Sequence, residues 1–535
     1  MPENPADAFS TSNKNPHEPG VGNYLLHVNR KAHFARAALA GVAAGALAVA
    51  FQVALELADE SRIALLEFAH HLTLGWVIPP IAAAVLAGIA GYITERYAPA
   101  ASGSGIPHTR AVLARLREID WRRLIPVKFI AGVLGLGAGL SMGREGPTVQ
   151  LGAGVGKMLS EKLKLDERSE RNIIASAAGA GLGAAFNAPL AGFIFVIEEL
   201  QRELSPLTFV SALIASVLAV AISRIFTGQL PSFHIHGYPL PSLQALPLFA
   251  AMGFVAGYAG VLFNRTLLYS VKSSRKLTMP MWQKGVVAAL ITGLTGWWLP
   301  DALGGGHRIA ESILRGDYVG SEFTTFLLVL LVGKFLLTMI AYASGLPGGI
   351  FAPLLVMGAI IGQLFGHLSG VMFPHSGATP AAYAVVCMGA MFTSIVRAPL
   401  TGVVLILEMT GNEEQLFALI LTCLIAYLVS EHAGSPPIYD ALLDFDLEKD
   451  HSATKPVSME ARAMHVTIAS HSIMDGSIIG SLQLPEGCML VTVRRGHHEL
   501  IATPELVLQP GDQVLVVLPE AGRDVVLGMS GQREA

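Results

Sequence analysis

Residues 128–198 of this chain recur, in order, at residues 334–408. Shifted by 206, Lys128-Phe129, Gly139-Leu140, Gly143, Pro147, Gly152 and Gly156 fall on Lys334-Phe335, Gly345-Leu346, Gly349, Pro353, Gly358 and Gly362. Shifted by 210, Gly179-Ala180, Ala188-Pro189-Leu190, Gly192 and Glu198 fall on Gly389-Ala390, Ala398-Pro399-Leu400, Gly402 and Glu408. The offset barely drifts, so chance is a poor explanation. Gly103-Ser104-Gly105 has a looser counterpart in Gly304-Gly305-Gly306. Two homologous halves joined near residues 228–245 are the consequence. Whether inverted or parallel, such halves place a site where they meet.

The repeated segments are apolar. Eleven apolar stretches run from about residue 33 to 443: 37–58, 76–93, 125–142, 173–197, 209–225, 246–268, 286–299, 323–343, 350–372, 383–409 and 416–429. Several approach or fall short of the ~20 residues that cross a bilayer upright. Others are interrupted by Gly and Pro, as non-helical backbone lining a buried site would be. Charged residues are 14% of the chain, against roughly 25% in soluble domains. With three cysteines and a net charge of −4, a disulfide scaffold, a disordered chain and a nucleic-acid binder are excluded. A polytopic helical membrane protein remains. Basic clusters at Arg30/Lys31/Arg36, Arg110/Arg115/Arg117/Arg122/Arg123 and Lys162/Lys164/Arg168/Arg171 mark the cytoplasmic side. Residues 1–22 lack the apolar core of a signal peptide, so no cleavage is expected.

Beyond Tyr439 the composition changes. Residues 444–460 form a charged linker, followed by short alternating runs at 465–469, 489–493 and 514–518 between turn signals such as Pro510-Gly511-Asp512. A small β-rich soluble domain is expected there.

Three loops share one plan: Gly103-Ser104-Gly105-Ile106-Pro107, Gly143-Arg144-Glu145-Gly146-Pro147 and Gly349-Ile350-Phe351-Ala352-Pro353. Glycines permit an irregular, close-approaching backbone, and a Pro then sits where a helix begins. Each helix start offers unpaired N–H groups and about half a positive charge. Several converging within the membrane would hold a small anion without a full cation that prevents its release. Gly and Pro are also simply common in membrane helices, but three loops of one layout outweigh that reading.

Glu145 stands inside one of these loops. A charged side chain at a helix centre costs roughly 2.5–3.5 kcal/mol on insertion scales, so its presence points to a function. An ion pair with adjacent Arg144 is the plainer reading. Against it, the second half carries Phe351 at the matching position. Glu199 follows the same logic: Glu198 matches Glu408 and reads as structural, whereas Glu199 matches Met409. A carboxylic acid removed from water is neutralised more readily. Glu145 and Glu199 are therefore assigned to proton handling, with Glu199 expected near the cytoplasmic boundary. Gly139-Leu140-Ser141-Met142-Gly143 fits the G-x-S-x-G elbow of serine hydrolases. Its glycines belong to the repeat and Ser141 is replaced by Pro347, so the match is accidental and no enzyme, metal or cofactor is expected.

The three loops closely resemble the signatures of the CLC family of chloride channels and chloride/proton antiporters, over about residues 30–445. The resemblance implies an all-α polytopic fold of two inverted repeats of tilted, broken helices, assembled as a homodimer in lipid. It makes the Ser104 hydroxyl, the Tyr439 phenol and the backbone N–H groups of Ile350 and Phe351 the ligands of chloride. It makes Glu145 the external gate and proton carrier, and Glu199 the internal proton-transfer group. By the same resemblance, Ser104 implies a preference for chloride over nitrate, since nitrate-selective relatives tend to have Pro there. In one departure, His108-Thr109-Arg110 follows the first signature where the family usually continues with Glu. In another, the tail lacks paired nucleotide-binding modules; Gly476-Ser477-Ile478-Ile479-Gly480, Val493-Arg494-Arg495 and Leu508-Gln509-Pro510-Gly511-Asp512 resemble the TrkA C-terminal domain of potassium transport regulators.

The resulting expectation is a bacterial inner-membrane exchanger of chloride for protons with cytoplasmic termini. A passive chloride channel is the alternative. Residues 1–29 are read as a disordered N-terminus, 30–445 as the membrane domain (repeats about 30–228 and 245–445), 446–463 as linker and 464–530 as a small α+β TrkA-C-like regulatory domain. That domain either binds an unidentified small ligand or only stabilises a dimer. A potassium-system component is disfavoured because no TVGYG-type filter sequence is present.

Overall fold

Asp166 and Thr379 start equivalent helices in the two halves. Each side-chain oxygen accepts a hydrogen bond from a backbone N–H of the first turn, Ser169 N for Asp166 and Ala382 N for Thr379. Such caps satisfy donors that the helix itself cannot. The helices Glu167–Phe186 and Pro380–Val396 then end on residues with left-handed backbone, Asn187 (φ 57°) and Arg397 (φ 70°). Ala188-Pro189 and Ala398-Pro399 follow. The prolines open the next helices, Pro189–Phe195 and Pro399–Thr410, at a position that needs no N–H.

This computed structural model describes residues 21–203, 205–233, 243–374, 378–451, 461–485, 487–496, 498–519 and 522–531. Among them, seven helices are long and apolar enough to cross a membrane, beginning with the segments Arg30–His70 and Gly75–Tyr97. The apolar helices Pro380–Val396 and Pro399–Thr410 are shorter. The protein is a multi-pass membrane protein. Its outer helices expose large apolar side chains such as Leu57, Phe226, Tyr269 and Trp298, as a lipid-facing surface requires.

Close packing explains the repeated glycines. A Cβ added to Gly152 would meet Ala177 O, and one on Gly156 would lie 2.7 Å from Ile174 Cα. In the other half, a Cβ on Gly358 would lie 2.8 Å from Met388 Cα. Small residues let helix backbones touch where apolar burial gives little association energy in lipid.

The halves are joined by reciprocal backbone bonds between equivalent residues. Gly143 N donates to Gly349 O (2.6 Å) and Gly349 N to Gly143 O (2.8 Å), in an antiparallel bridge. Gly103 N donates to Gly345 O (3.1 Å), and Gly304 N to Gly139 O (2.8 Å). Pairing of equivalent residues with opposed chain direction is what a two-fold relation between inverted repeats produces.

Residues 1–446 form one compact unit and 447–535 another. The second unit holds β1 (Ala461–Thr467), β2 (Met489–Arg495), β3 (His498–Ile501) and β4 (Gln513–Pro519), an antiparallel sheet of order β1-β4-β2-β3, with a helix Arg523–Ser530. Val466, Val493, Val514, Val516 and Val526 fill its core.

Two sequence expectations are corrected, and one strand is added. The first helix begins at Val21, so residues 21–29 are helical and not part of a disordered N-terminus; residues 1–20 lie outside the described residues. The stretch expected as linker starts as helix, because Ile438–His451 continues through its first residues, while 452–460 lie outside the described residues. Strand β3 is an addition: His498-Glu499-Leu500-Ile501 is too short and polar to alternate visibly, and it forms because β2 offers it an open edge.

Candidate functional site

Gly103 (φ 59°) and Gly105 (φ 84°) take left-handed backbone, matched by Gly304 (φ 58°) and Gly306 (φ 82°) in the other half. Glycine, which lacks a Cβ, adopts these values without strain. Both loops are held by a buried lysine. Lys128 Nζ donates to Ala101 O (2.9 Å) and Gly103 O (2.8 Å). Lys334 Nζ donates to Ala302 O (3.2 Å), Leu303 O (3.3 Å) and Gly304 O (2.5 Å). The sequence showed the two lysines as repeat partners, and only the structure shows what they hold.

The three signature loops meet. Ile106 and Pro107 begin the helix Ile106–Leu113, whose first N–H leans on Ser104 Oγ (3.3 Å). Gly146 and Pro147 lie in the first turn of Glu145–Lys162. A Cβ on Gly146 would fall 2.9 Å from Ser104 Cβ, so this helix start abuts Ser104. Ile350 precedes and Phe351 begins the helix Phe351–Met372, with Ala352 and Pro353 in its first turn. Ser104, Ile350, Phe351 and Tyr439 are all buried. The rings of Phe351 and Tyr439 stack with centroids 6.1 Å apart. The Tyr439 hydroxyl is buried without a hydrogen-bond partner. Three helix N-termini and a phenol therefore surround one interior region, an environment suited to a small anion.

Glu145 is fully buried. Neither of its carboxylate oxygens has a hydrogen-bond partner. Space beside Gly143 Cα is shared by Glu145 Oε2 and the amide of Ala352, which places the carboxylate at the start of the other half's helix. Arg144 makes no direct ion pair with Glu145 and acts on it only at longer range: its Nη1 lies 3.9 Å from Glu56, while His307 Nε2 lies 3.8 Å from Glu145.

Glu198 and Glu199 separate as their symmetry suggests. Glu198 accepts from Leu400 N (3.0 Å), Thr401 N (2.7 Å) and Thr401 Oγ1 (2.8 Å). Glu408 returns the contact, accepting from Leu190 N (3.0 Å) and Ala191 N (2.8 Å). Each glutamate caps a helix of the opposite half. Glu199 lies in the π-helical turn Val196–Gln201 with its side chain 1% exposed. It is buried among charges rather than facing water. Arg110 Nη1 approaches at 2.7 Å and Arg202 at 3.6 Å. Asp440 binds both arginines, Arg202 at 2.8 Å. Sequence reading missed Arg110, Arg202 and Asp440. Arg110 in particular was grouped with surface cations. Ser141, the serine of the G-x-S-x-G match, is buried and shares a hydrogen bond of 2.9 Å with Thr338.

Inverted broken-helix repeats closing on a buried anion-suited region define a membrane transport protein. The chain belongs to the voltage gated chloride channel family, whose model matches residues 84–431, and a TrkA-C domain matches residues 463–526. It is 37% identical over 426 residues to the H(+)/Cl(-) exchange transporter ClcA of Vibrio vulnificus strain YJ016, covering 77% of this chain and 90% of that protein. It is 36% identical over 437 residues to the exchange transporter ClcA of Salmonella gallinarum, covering 80% and 91%. The crystal structure of a slow cyanobacterial Cl-/H+ antiporter matches with TM-score 0.75 at 32% identity, over 78% of this chain and 99% of that one. A CLC-type fluoride/proton antiporter shares the fold alone, at TM-score 0.63 and 22% identity over 77% of this chain and 97% of that one.

Proposed function

We propose that the protein is a secondary active transporter that exchanges chloride for protons across the bacterial inner membrane. It works as a homodimer with both termini in the cytoplasm. The observation that carries this reading is the Glu145 carboxylate: buried, unpartnered and placed at the N-terminus of the opposite half's helix, where an anion would also bind. A carboxylate and chloride compete for such a position, and protonation releases the carboxylate. The activity named for the Vibrio and Salmonella relatives supports it.

Chloride is held by the Ser104 and Tyr439 hydroxyls and by the N–H groups of Ile350 and Phe351. Glu145 gates the external side and carries the proton, and Glu199 passes protons on the internal side. The 464–530 segment regulates the transporter or its assembly. The test is reconstitution in liposomes with a chloride gradient and a pH electrode outside. Uphill proton movement driven by chloride is expected, and Glu145→Gln should abolish it while anion flux continues. Chloride flux without proton movement in the unmodified protein would make it a passive channel.

A further inference from the structure

We propose that His307 relays protons between the external solution and Glu145. The inference rests on the reading of Glu145 as the external proton carrier. His307 begins the helix His307–Arg315, directly after the left-handed Gly306. Its side chain is 35% exposed, yet its Nε2 is buried and unpartnered, 3.8 Å from Oε1 of Glu145. The buried Glu145 carboxylate and the buried Nε2 of the half-exposed His307 ring, both without a hydrogen-bond partner, thus face each other, and among the described residues no other basic side chain comes within 4 Å of that carboxylate. The separation exceeds a hydrogen bond, and contacts used in proton transfer are often this long until the working complex forms.

The ring also reaches water. It lines a cavity of about 330 Å³ together with Gln52, Glu56, Asp59, Glu60 and Arg144. Arg144 keeps its charge and cannot shuttle protons. Lys334, the other cation beside Gly306, has its ammonium engaged with the carbonyls of residues 302–304. Glu311 and Arg308 lie on the same helix and line the same cavity. Of these residues, His307 both is able to give up and regain a proton and stands within 4 Å of the Glu145 carboxylate while lining the cavity. The fold does not demand imidazole here, because the equivalent position of the first half, one residue after Gly105, is Ile106.

The step needs no co-reactant besides water. Nδ1 takes a proton from the cavity as Nε2–H passes its own to the Glu145 carboxylate. The ring is neutral before and after, in the other tautomer, and rotation of the ring resets it. Glu145 becomes the neutral acid, and the reverse sequence returns the proton outward.

The test uses the full chain in liposomes with an external pH electrode. His307→Ala should slow coupled exchange about tenfold or more, within the usual contribution of a positioned acid–base group. Imidazole added outside should restore it, a response that a purely structural residue would not give. In a Glu145→Gln background, where the relay has no acceptor, adding His307→Ala should leave anion flux unchanged. Full exchange in His307→Ala, slow exchange that imidazole does not restore, or a further loss of anion flux in the double variant would each overturn the relay. Proton pumping that survives Glu145→Gln alone would instead remove the acceptor and defeat the reading of Glu145 itself.

Discussion

Arg110 and Glu199, 89 residues apart in sequence, form a buried ion pair at 2.7 Å. Their side chains are 10% and 1% exposed. Arg110 also binds Asp440, the residue after Tyr439, and sits in the helix that begins two residues after Ser104. One guanidinium thereby ties Glu199 to both segments that carry Ser104 and Tyr439. The cation stands in the very run, His108-Thr109-Arg110, that departs from the family pattern.

Removing one partner of such a pair strands the other. Arg110→Gln leaves Glu199 with Arg202 at 3.6 Å as its remaining cation, and breaking a buried pair costs about 3–5 kcal/mol. Thermal unfolding in detergent should show a large loss for Arg110→Gln and a much smaller one when Glu199→Gln is already present. Equal losses in both backgrounds would mean that the pair is not coupled.

Glu198→Gln and Glu199→Gln should fail in different ways. Glu199→Gln should abolish proton transport and leave chloride affinity, read by calorimetry, nearly unchanged. Glu198→Gln weakens a cap on two N–H groups and a hydroxyl, so about 1–2 kcal/mol of stability should go while coupling persists. If Glu199→Gln still drives protons uphill, or Glu198 is the more sensitive to proton flux, the assignment is wrong.

The repeat was legible because symmetric scaffolds reuse residues: Gly143 with Gly349, Lys128 with Lys334 and Glu198 with Glu408 all serve matching roles. Side chains that break the symmetry stand out only when nothing else explains them, as with Glu145 opposite Phe351. Arg110 and His307 break it too, yet carried no signal. Arg110 is followed by Arg115 and Arg117, which read as a positive cytoplasmic loop, and its partners lie 89 and 330 residues away. His307 follows three glycines in a half whose counterpart loop ends in isoleucine, and its proximity to Glu145 arises only when the halves close.

The two lysine staples should matter unequally to fold and equally little to coupling. Lys334 donates to three carbonyls and Lys128 to two. Lys128→Met leaves Ala101 O unsatisfied, since Gly103 O also accepts from Gly348 N (3.0 Å), whereas Lys334→Met strands the carbonyls of residues 302–304, at about 1–3 kcal/mol for each group. Lys334→Met should therefore lower the unfolding temperature more than Lys128→Met, while the surviving folded fraction keeps its proton-to-chloride ratio. A changed ratio in either variant would place the lysine in the transport path.

In the second unit, Asp512 should make stability depend on pH. Its carboxylate accepts from Arg495 Nε (2.9 Å) and Nη2 (2.7 Å) and from Gln509 N (2.9 Å). Burial alone would raise its pKa, but the Arg495 hydrogen bonds and the Gln509 N–H outweigh burial and hold it below the usual carboxylate value. A depressed folded-state pKa stabilises above the unfolded value, about 3.9, and that contribution is lost as pH falls through the folded value. Asp512→Asn should then destabilise residues 461–531 at pH 7 by about 1.5–3 kcal/mol, the range for charged hydrogen bonds. The difference between variant and parent should shrink below pH 4. Hydrogen exchange of the β4 amides in the full chain, parent beside variant at each pH, reads this directly. Chloride-driven proton flux should be unaffected, since Asp512 belongs to a core of its own. A difference that persists at low pH would show that the asparagine disturbs the turn itself rather than removing a charge.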